Sequence, residues 1–136
     1  MKPVPDSVAR LGPEGTEWHG GTVDLTRMSL RVRAPSEAHA EITAALGCSP
    51  NRIAKVWSLS ASASPVGDLD GQVAWLLGQV TSDLAKWKRV TAQWRVDIFC
   101  GLFLERPNRG VAVSATTMRM LAERNIELGL DIYAPD

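Results

Sequence analysis

The stretch Trp94-Arg95-Val96-Asp97-Ile98-Phe99-Cys100-Gly101-Leu102-Phe103-Leu104 decides the fold. Its even positions are all apolar, while its odd positions include Arg95, Asp97, Phe99 and Phe103. An alternation of period two over this length is the pattern of a strand with one face in a core. The same period recurs outward from it. Upstream, Met28, Leu30, Val32 and Ala34 alternate with Ser29, Arg31 and Arg33; downstream, Ile126, Leu128, Leu130 and Ile132 do the same. Residues 55–61 predict a further strand, with Trp57, Leu59 and Ala61 on one side and Val56, Ser58 and Ser60 on the other. Arg106 to Gly110 reads as a hairpin turn into a strand through Val111, Val113 and Ala115.

Between these strands the period changes to that of a helix. Ser36 is the expected N-cap of a helix whose Ala38, Ile42, Ala45 and Leu46 share a face, and Gly47 ends it. Asp68 caps a long helix with Leu69, Val73, Leu76, Leu77, Val80, Leu84 and Trp87 on one stripe, with a break near Thr81-Ser82. Ser114 or Thr116 caps a short helix with Met118, Leu121 and Ala122 inward and Asn125 at its end. The expected order is strand, helix, strand, helix, strand, strand, helix, strand (βαβαββαβ). Its economical architecture is an α+β, ferredoxin-like sandwich, a mainly antiparallel sheet with the helices on one face. Residues 1–27, rich in Pro and Gly, read as an N-terminal arm, and residues 28–136 as a single domain. Trp18 in the arm is an anchor onto the domain or a contact for a partner.

The chain of 136 residues carries 15 basic and 15 acidic side chains, seven of each in the first half and eight of each in the second. Nucleic acid and anionic membrane are therefore not expected as partners, since both require a net or clustered positive field. Two cysteines are too few for a disulfide framework, and the longest apolar run, Ile98 to Leu104, is far too short to span a bilayer. The N-terminus lacks the layout of a signal peptide, so the expected setting is the cytoplasm.

Little in the chain assembles into a catalytic set. His19, His39, Cys48 and Cys100 lack metal-ligand spacing, so neither a metal nor another cofactor is expected. Cys100 falls on the buried face of its strand, where a thiol is inert. The glycines at 12, 15, 20 and 21 lack the context of a phosphate loop. Lys86-Trp87-Lys88-Arg89 is the one basic cluster, read as the cationic end of a helix with Trp87 in the core.

Strand alternation gathers a second face opposite the helices, holding Arg31, Arg33, Ser58, Arg95, Asp97, Phe99, Phe103, Glu127, Asp131 and Tyr133. Aromatics rimmed by Arg and Asp have the composition of a protein interface. Asp97 and Asp131, on adjacent strands, are candidates for an acid/base pair, against which stands a cross-strand ion-pair network with the arginines. The arm folded back over the face is a further alternative.

Four stretches resemble the bacterial domain-of-unknown-function family numbered 4279: Val56-Trp57-Ser58-Leu59, Asp68-Leu69 through Trp75-Leu76-Leu77, Val96-Asp97-Ile98-Phe99-Cys100, and Leu128 through Asp131-Ile132-Tyr133. The resemblance runs from Met28 to Tyr133 and contains no catalytic motif. It implies a small α+β domain of the kind encoded beside bacterial polymorphic toxins, where such a domain neutralises a toxin by binding it. The expected function is accordingly a non-catalytic immunity protein. Its partner-binding residues are Arg31, Arg33, Arg95, Asp97, Phe99, Phe103, Asp131 and Tyr133, and its partner is a protein, a toxin domain. Two alternatives stand beside it: a small-molecule-binding domain or small enzyme using Asp97, Asp131, Tyr133 and Arg33, and a structural homodimer through the same face.

Overall fold

The computed structural model describes residues 24–52, 55–63, 68–106 and 110–134. Four strands, β1 (Leu25–Arg33), β2 (Trp57–Ser60), β3 (Arg95–Phe103) and β4 (Glu127–Tyr133), form one sheet in the order β2-β1-β3-β4. The β1–β2 and β1–β3 pairs are antiparallel and the β3–β4 pair is parallel. Parallel neighbours need a crossover, and α4 (Ala115–Glu123) supplies it between β3 and β4. Helices α1 (His39–Leu46), α2 (Leu69–Gln79) and α3 (Leu84–Gln93) complete the layer.

Each strand is fixed by the period-two pattern. In β1 and β3, Met28, Leu30, Val32, Val96, Ile98, Cys100 and Leu102 are all buried. They join Ile42 and Leu46 of α1, Leu69, Val73, Leu76 and Leu77 of α2, Trp87 and Val90 of α3 and Leu121 of α4 in one apolar cluster. All four helices thus cover the same side of the sheet, and no described helix covers the other side. Local signals set the helix ends. Asp68 accepts from the Gly71 N–H, Asp83 from Ala85 and Ser114 from Thr117, while Gly47 (φ 72°) and Asn125 (φ 58°) take the left-handed conformation that stops α1 and α4.

The α+β class and the single helical layer agree with the sequence reading, and the order βαβαββαβ does not. Among the described residues the order is βαβααβαβ, with four strands, one fewer than expected, in a mixed sheet whose β1–β2 and β1–β3 pairs are antiparallel. Val111 and Val113 are half-buried against the core without joining the sheet, so the expected hairpin partner of β3 is irregular chain leading into α4. The break near Thr81-Ser82 is present and divides the long helix in two: residues 80–83 separate α2 from α3, Asp83 caps α3, and Leu84 is 43% exposed although Trp87 is fully buried. Lys86, Lys88 and Arg89 consequently lie inside α3 and not at a helix end, which removes the dipole as the reason for that cluster. Ser36 does not cap α1; it opens a short 3₁₀ turn, Ser36–Ala38, that leads into the helix. In α4 the buried positions are Thr117 and Leu121, whereas Met118 points outward.

Strand β1 starts at Leu25, upstream of the expected onset at Met28. Thr26 hides the start, because a polar residue sits on the core face. Its hydroxyl donates to Gln72 Oε1, and Gln72 Nε2 donates to the carbonyls of Thr26 (3.3 Å) and Ser62 (2.6 Å), so the buried polar groups satisfy one another. Trp18 and most of the expected arm lie outside the described residues. None of the described helices is long and apolar enough to cross a membrane.

Candidate functional site

The register brings the expected residues to one face. Arg31 stands opposite Asp97 and Arg33 opposite Arg95 on β1–β3; Asp97 pairs with Glu127, Gly101 with Asp131 and Phe103 with Tyr133 on β3–β4. Ser58 and Ser60 of β2 oppose Arg31 and Ser29. All eight candidates therefore share the open face.

Asp97 is its electrostatic centre. Arg31 Nε donates to Oδ1 at 2.8 Å and Arg31 Nη2 to Oδ2 at 3.1 Å, while Arg33 donates to Oδ2 through Nη2 (2.8 Å) and Nε (3.2 Å). The Asp97 side chain is 4% exposed. Burial alone pushes its carboxyl up, but the hydrogen bonds and charges of Arg31 and Arg33 outweigh burial and hold it below the usual carboxylate range. This is a structural clamp that keeps Asp97 ionised. Arg95 and Glu127 form a second pair at 2.6 Å at the exposed end, and that bond and charge raise the Arg95 pKa further.

Of the two alternatives for Asp97 and Asp131, Asp97 takes the cross-strand ion-pair network with Arg31 and Arg33, and the acid/base pair is not formed. Asp131 lies beside Gly101, four positions along β3 from Asp97, which separates the two backbones by roughly 13 Å at the usual rise per residue. Asp131 instead accepts from the Tyr133 hydroxyl at 2.7 Å, which raises the tyrosine pKa. Cys100 lies on the opposite, core side, where burial pushes its thiol up to about 11. Among the described residues no three His, Cys, Asp or Glu side chains converge on a point where a metal could sit.

At the other end of the face the chemistry is aromatic. Phe103 and Tyr133 stack at 4.6 Å between centroids with planes 5° apart, Arg27 Cζ stands 5.7 Å from the Phe103 centroid, and Arg31 Cζ stands 4.6 Å from that of Phe99. Gly101 permits the stack to lean across β3, since a Cβ there would lie 3.2 Å from the Phe103 ring and 3.6 Å from the Tyr133 ring. Beside the stack is a hollow of about 350 Å³, lined by Arg27, Ser29, Arg52, Ser60, Gly101 and Phe103 among others.

Sequence reasoning missed Arg27, Arg52 and the small residues of this hollow. Arg27 fell in the expected arm because Thr26 broke the alternation, although its odd spacing from Ser29 and Arg31 was a usable signal. Arg52 comes from the loop after α1, where no period reports on orientation.

The model of one protein family, described as a domain of unknown function (DUF4279), matches residues 24–135. No curated protein and no solved structure matches the chain. The matched span takes in every strand and helix described above, together with the whole open face. On that coverage, the chain belongs to the DUF4279 family.

Proposed function

We propose that this chain is a non-catalytic binding protein whose open sheet face is the interface for a protein partner. The observation that carries the reading is the division of labour on that face. Its buried carboxylate is neutralised by two arginines, leaving no free acid or base at the centre, while Phe103, Tyr133 and Arg27 stay available at one end. Aromatic and Arg side chains on a rigid support are the groups that dominate binding energy in protein interfaces. A sheet braced by cross-strand ion pairs is rigid before the partner arrives, which lowers the ordering cost of association.

Within that reading we take the partner to be a toxin domain and the role to be immunity in the bacterial cytoplasm. Neutralising a toxin requires only a surface that occludes its active site, and no chemistry of its own. The hollow on the same face supports a second reading, small-molecule binding, because it is concave and mixes polar with aromatic walls.

Capture of the tagged chain's partner from its native host, repeated with Arg27→Glu/Phe103→Ser and with Trp75→Ser on the outer side of α2, tests the proposal. A stoichiometric protein retained by wild type and Trp75→Ser, lost by the double variant, and toxic to cells unless the chain is co-expressed is the expected result. Retention by the double variant contradicts the interface. Recovery of the wild-type chain alone favours the small-molecule reading, and sedimentation of that material separates it from a homodimer.

A further inference from the structure

Five arginines belong to the open face or line its hollow, and they divide into two groups. Arg31 and Arg33 are committed to Asp97, and Arg95 to Glu127. Arg27 and Arg52, which line the hollow, have no ion pair among the described residues, and no acidic side chain is among the residues lining it. Two arginines lining one hollow with no acid in that lining are electrostatically incomplete, and an anion held between them would gain charge-assisted hydrogen bonds from planar, multidentate donors.

The floor explains why the space exists. Ser29 and Ser60 are register partners joined Oγ to Oγ at 2.8 Å, and Gly101 is the register partner of Arg27, so three small residues sit under longer neighbours. The wall is the Phe103 ring, backed by Tyr133. A volume of about 350 Å³ accommodates a single side chain and part of its neighbour, not a large ligand.

We infer that this hollow is an anion-accepting notch, and that the partner fills it with an acidic side chain whose neighbouring residue is aromatic. The acid lies between Arg27 and Arg52, and the adjacent ring packs on Phe103. A bare inorganic anion would satisfy the arginines but leave the aromatic wall unused. This inference rests on the protein-binding reading above and names the partner's chemistry.

The test uses the full ¹⁵N-labelled chain, titrated with the capped dipeptide N-acetyl-Glu-Phe-amide and followed by amide chemical shifts. The expected result is millimolar binding, ordinary for a fragment of this size, with shifts confined to Ser29, Ser60, Gly101, Phe103 and their neighbours. The neutral isostere N-acetyl-Gln-Phe-amide is expected to bind at least tenfold more weakly. Arg27→Gln with Arg52→Gln, both at exposed positions and so compatible with folding, abolishes the preference for Glu over Gln. Gly101→Val, whose side chain enters the notch, abolishes binding of both peptides. Equal binding of the two peptides, shifts elsewhere on the chain, or an equal response to inorganic phosphate overturns the inference. Glu preference combined with partner capture unaffected by Arg27→Glu/Phe103→Ser keeps the notch and rejects the face as the interface. Loss of capture without Glu preference keeps the interface and rejects the notch.

Discussion

Replacing Asp97 with alanine separates a structural carboxylate from a chemical one. In the native chain both Asp97 oxygens accept from arginine at 2.8–3.2 Å in a site where its side chain is 4% exposed. Removing one partner of a fully buried ion pair costs about 3–5 kcal/mol, because the other charge is stranded. Arg31 and Arg33 retain side-chain exposures of 25% and 43%, so water replaces part of what they lose, and the expected cost falls to about 2–3 kcal/mol. At an unfolding entropy of about 2.1 cal/mol/K per residue, a loss of ~2.5 kcal/mol lowers the Tm of a chain this long by about 9 °C. Arg33→Ala should cost less, under about 1 kcal/mol, since Arg31 still holds both carboxylate oxygens.

The same substitution has a pH signature. Burial raises the Asp97 carboxyl, but the two arginines more than reverse it, so the folded pKa lies below the unfolded value near about 3.9. The folded state then binds fewer protons at this site than the unfolded state. Its stabilisation is complete above the unfolded pKa and disappears as pH falls through the folded one. Urea denaturation of wild type and Asp97→Ala from pH 7 to 2 should give two curves separated by a constant gap at neutral pH that narrows as pH falls below about 4. An Asp97→Ala variant within 0.5 kcal/mol of wild type, or a gap that does not depend on pH in that acid range, would refute the clamp.

Two further outcomes follow from buried groups. Gln72→Ala strands the Thr26 hydroxyl in the core and removes the donor to the Thr26 and Ser62 carbonyls, and chemical denaturation should report a loss of about 2–3 kcal/mol from the cavity and the unmade hydrogen bonds together. Thiol titration at pH 8 should label Cys48 rapidly and Cys100 only on addition of denaturant, because Cys100 is fully buried with its pKa pushed to about 11; two fast equivalents in the native chain would contradict that burial.

The face was legible because strand geometry leaves no freedom: once Val96, Ile98 and Cys100 point inward, Asp97, Phe99 and Phe103 must point outward. Pairing was less legible, since alternation says which side a residue faces and nothing about its neighbour. Asp97 and Asp131 therefore looked like a pair until the register set Asp131 beside Gly101. Val111 and Val113 alternate as a strand would, yet packing against the core without ladder hydrogen bonds satisfies the same pattern. Leu130 and Ile132 alternate in phase with Leu128 but are 45% and 60% exposed, as the described helices leave that end of β4 uncovered. The apolar stripe from Leu69 to Trp87 continued through residues 80–83 because Val80 is buried in the turn between α2 and α3 just as it would be in a helix. The Thr26–Gln72 pair is a polar contact across 46 residues, and no local pattern announces it.

The affinity of the captured partner for the purified chain, measured by titration calorimetry, tests the proposed binding role of the open face most directly. Truncation of a central aromatic anchor typically costs 2 kcal/mol or more, so Phe103→Ala should weaken binding about thirtyfold, while Ile132→Ser on the helical side of β4 leaves it within twofold. An unchanged affinity for Phe103→Ala, or a larger loss for Ile132→Ser, would contradict the assignment of function to this face.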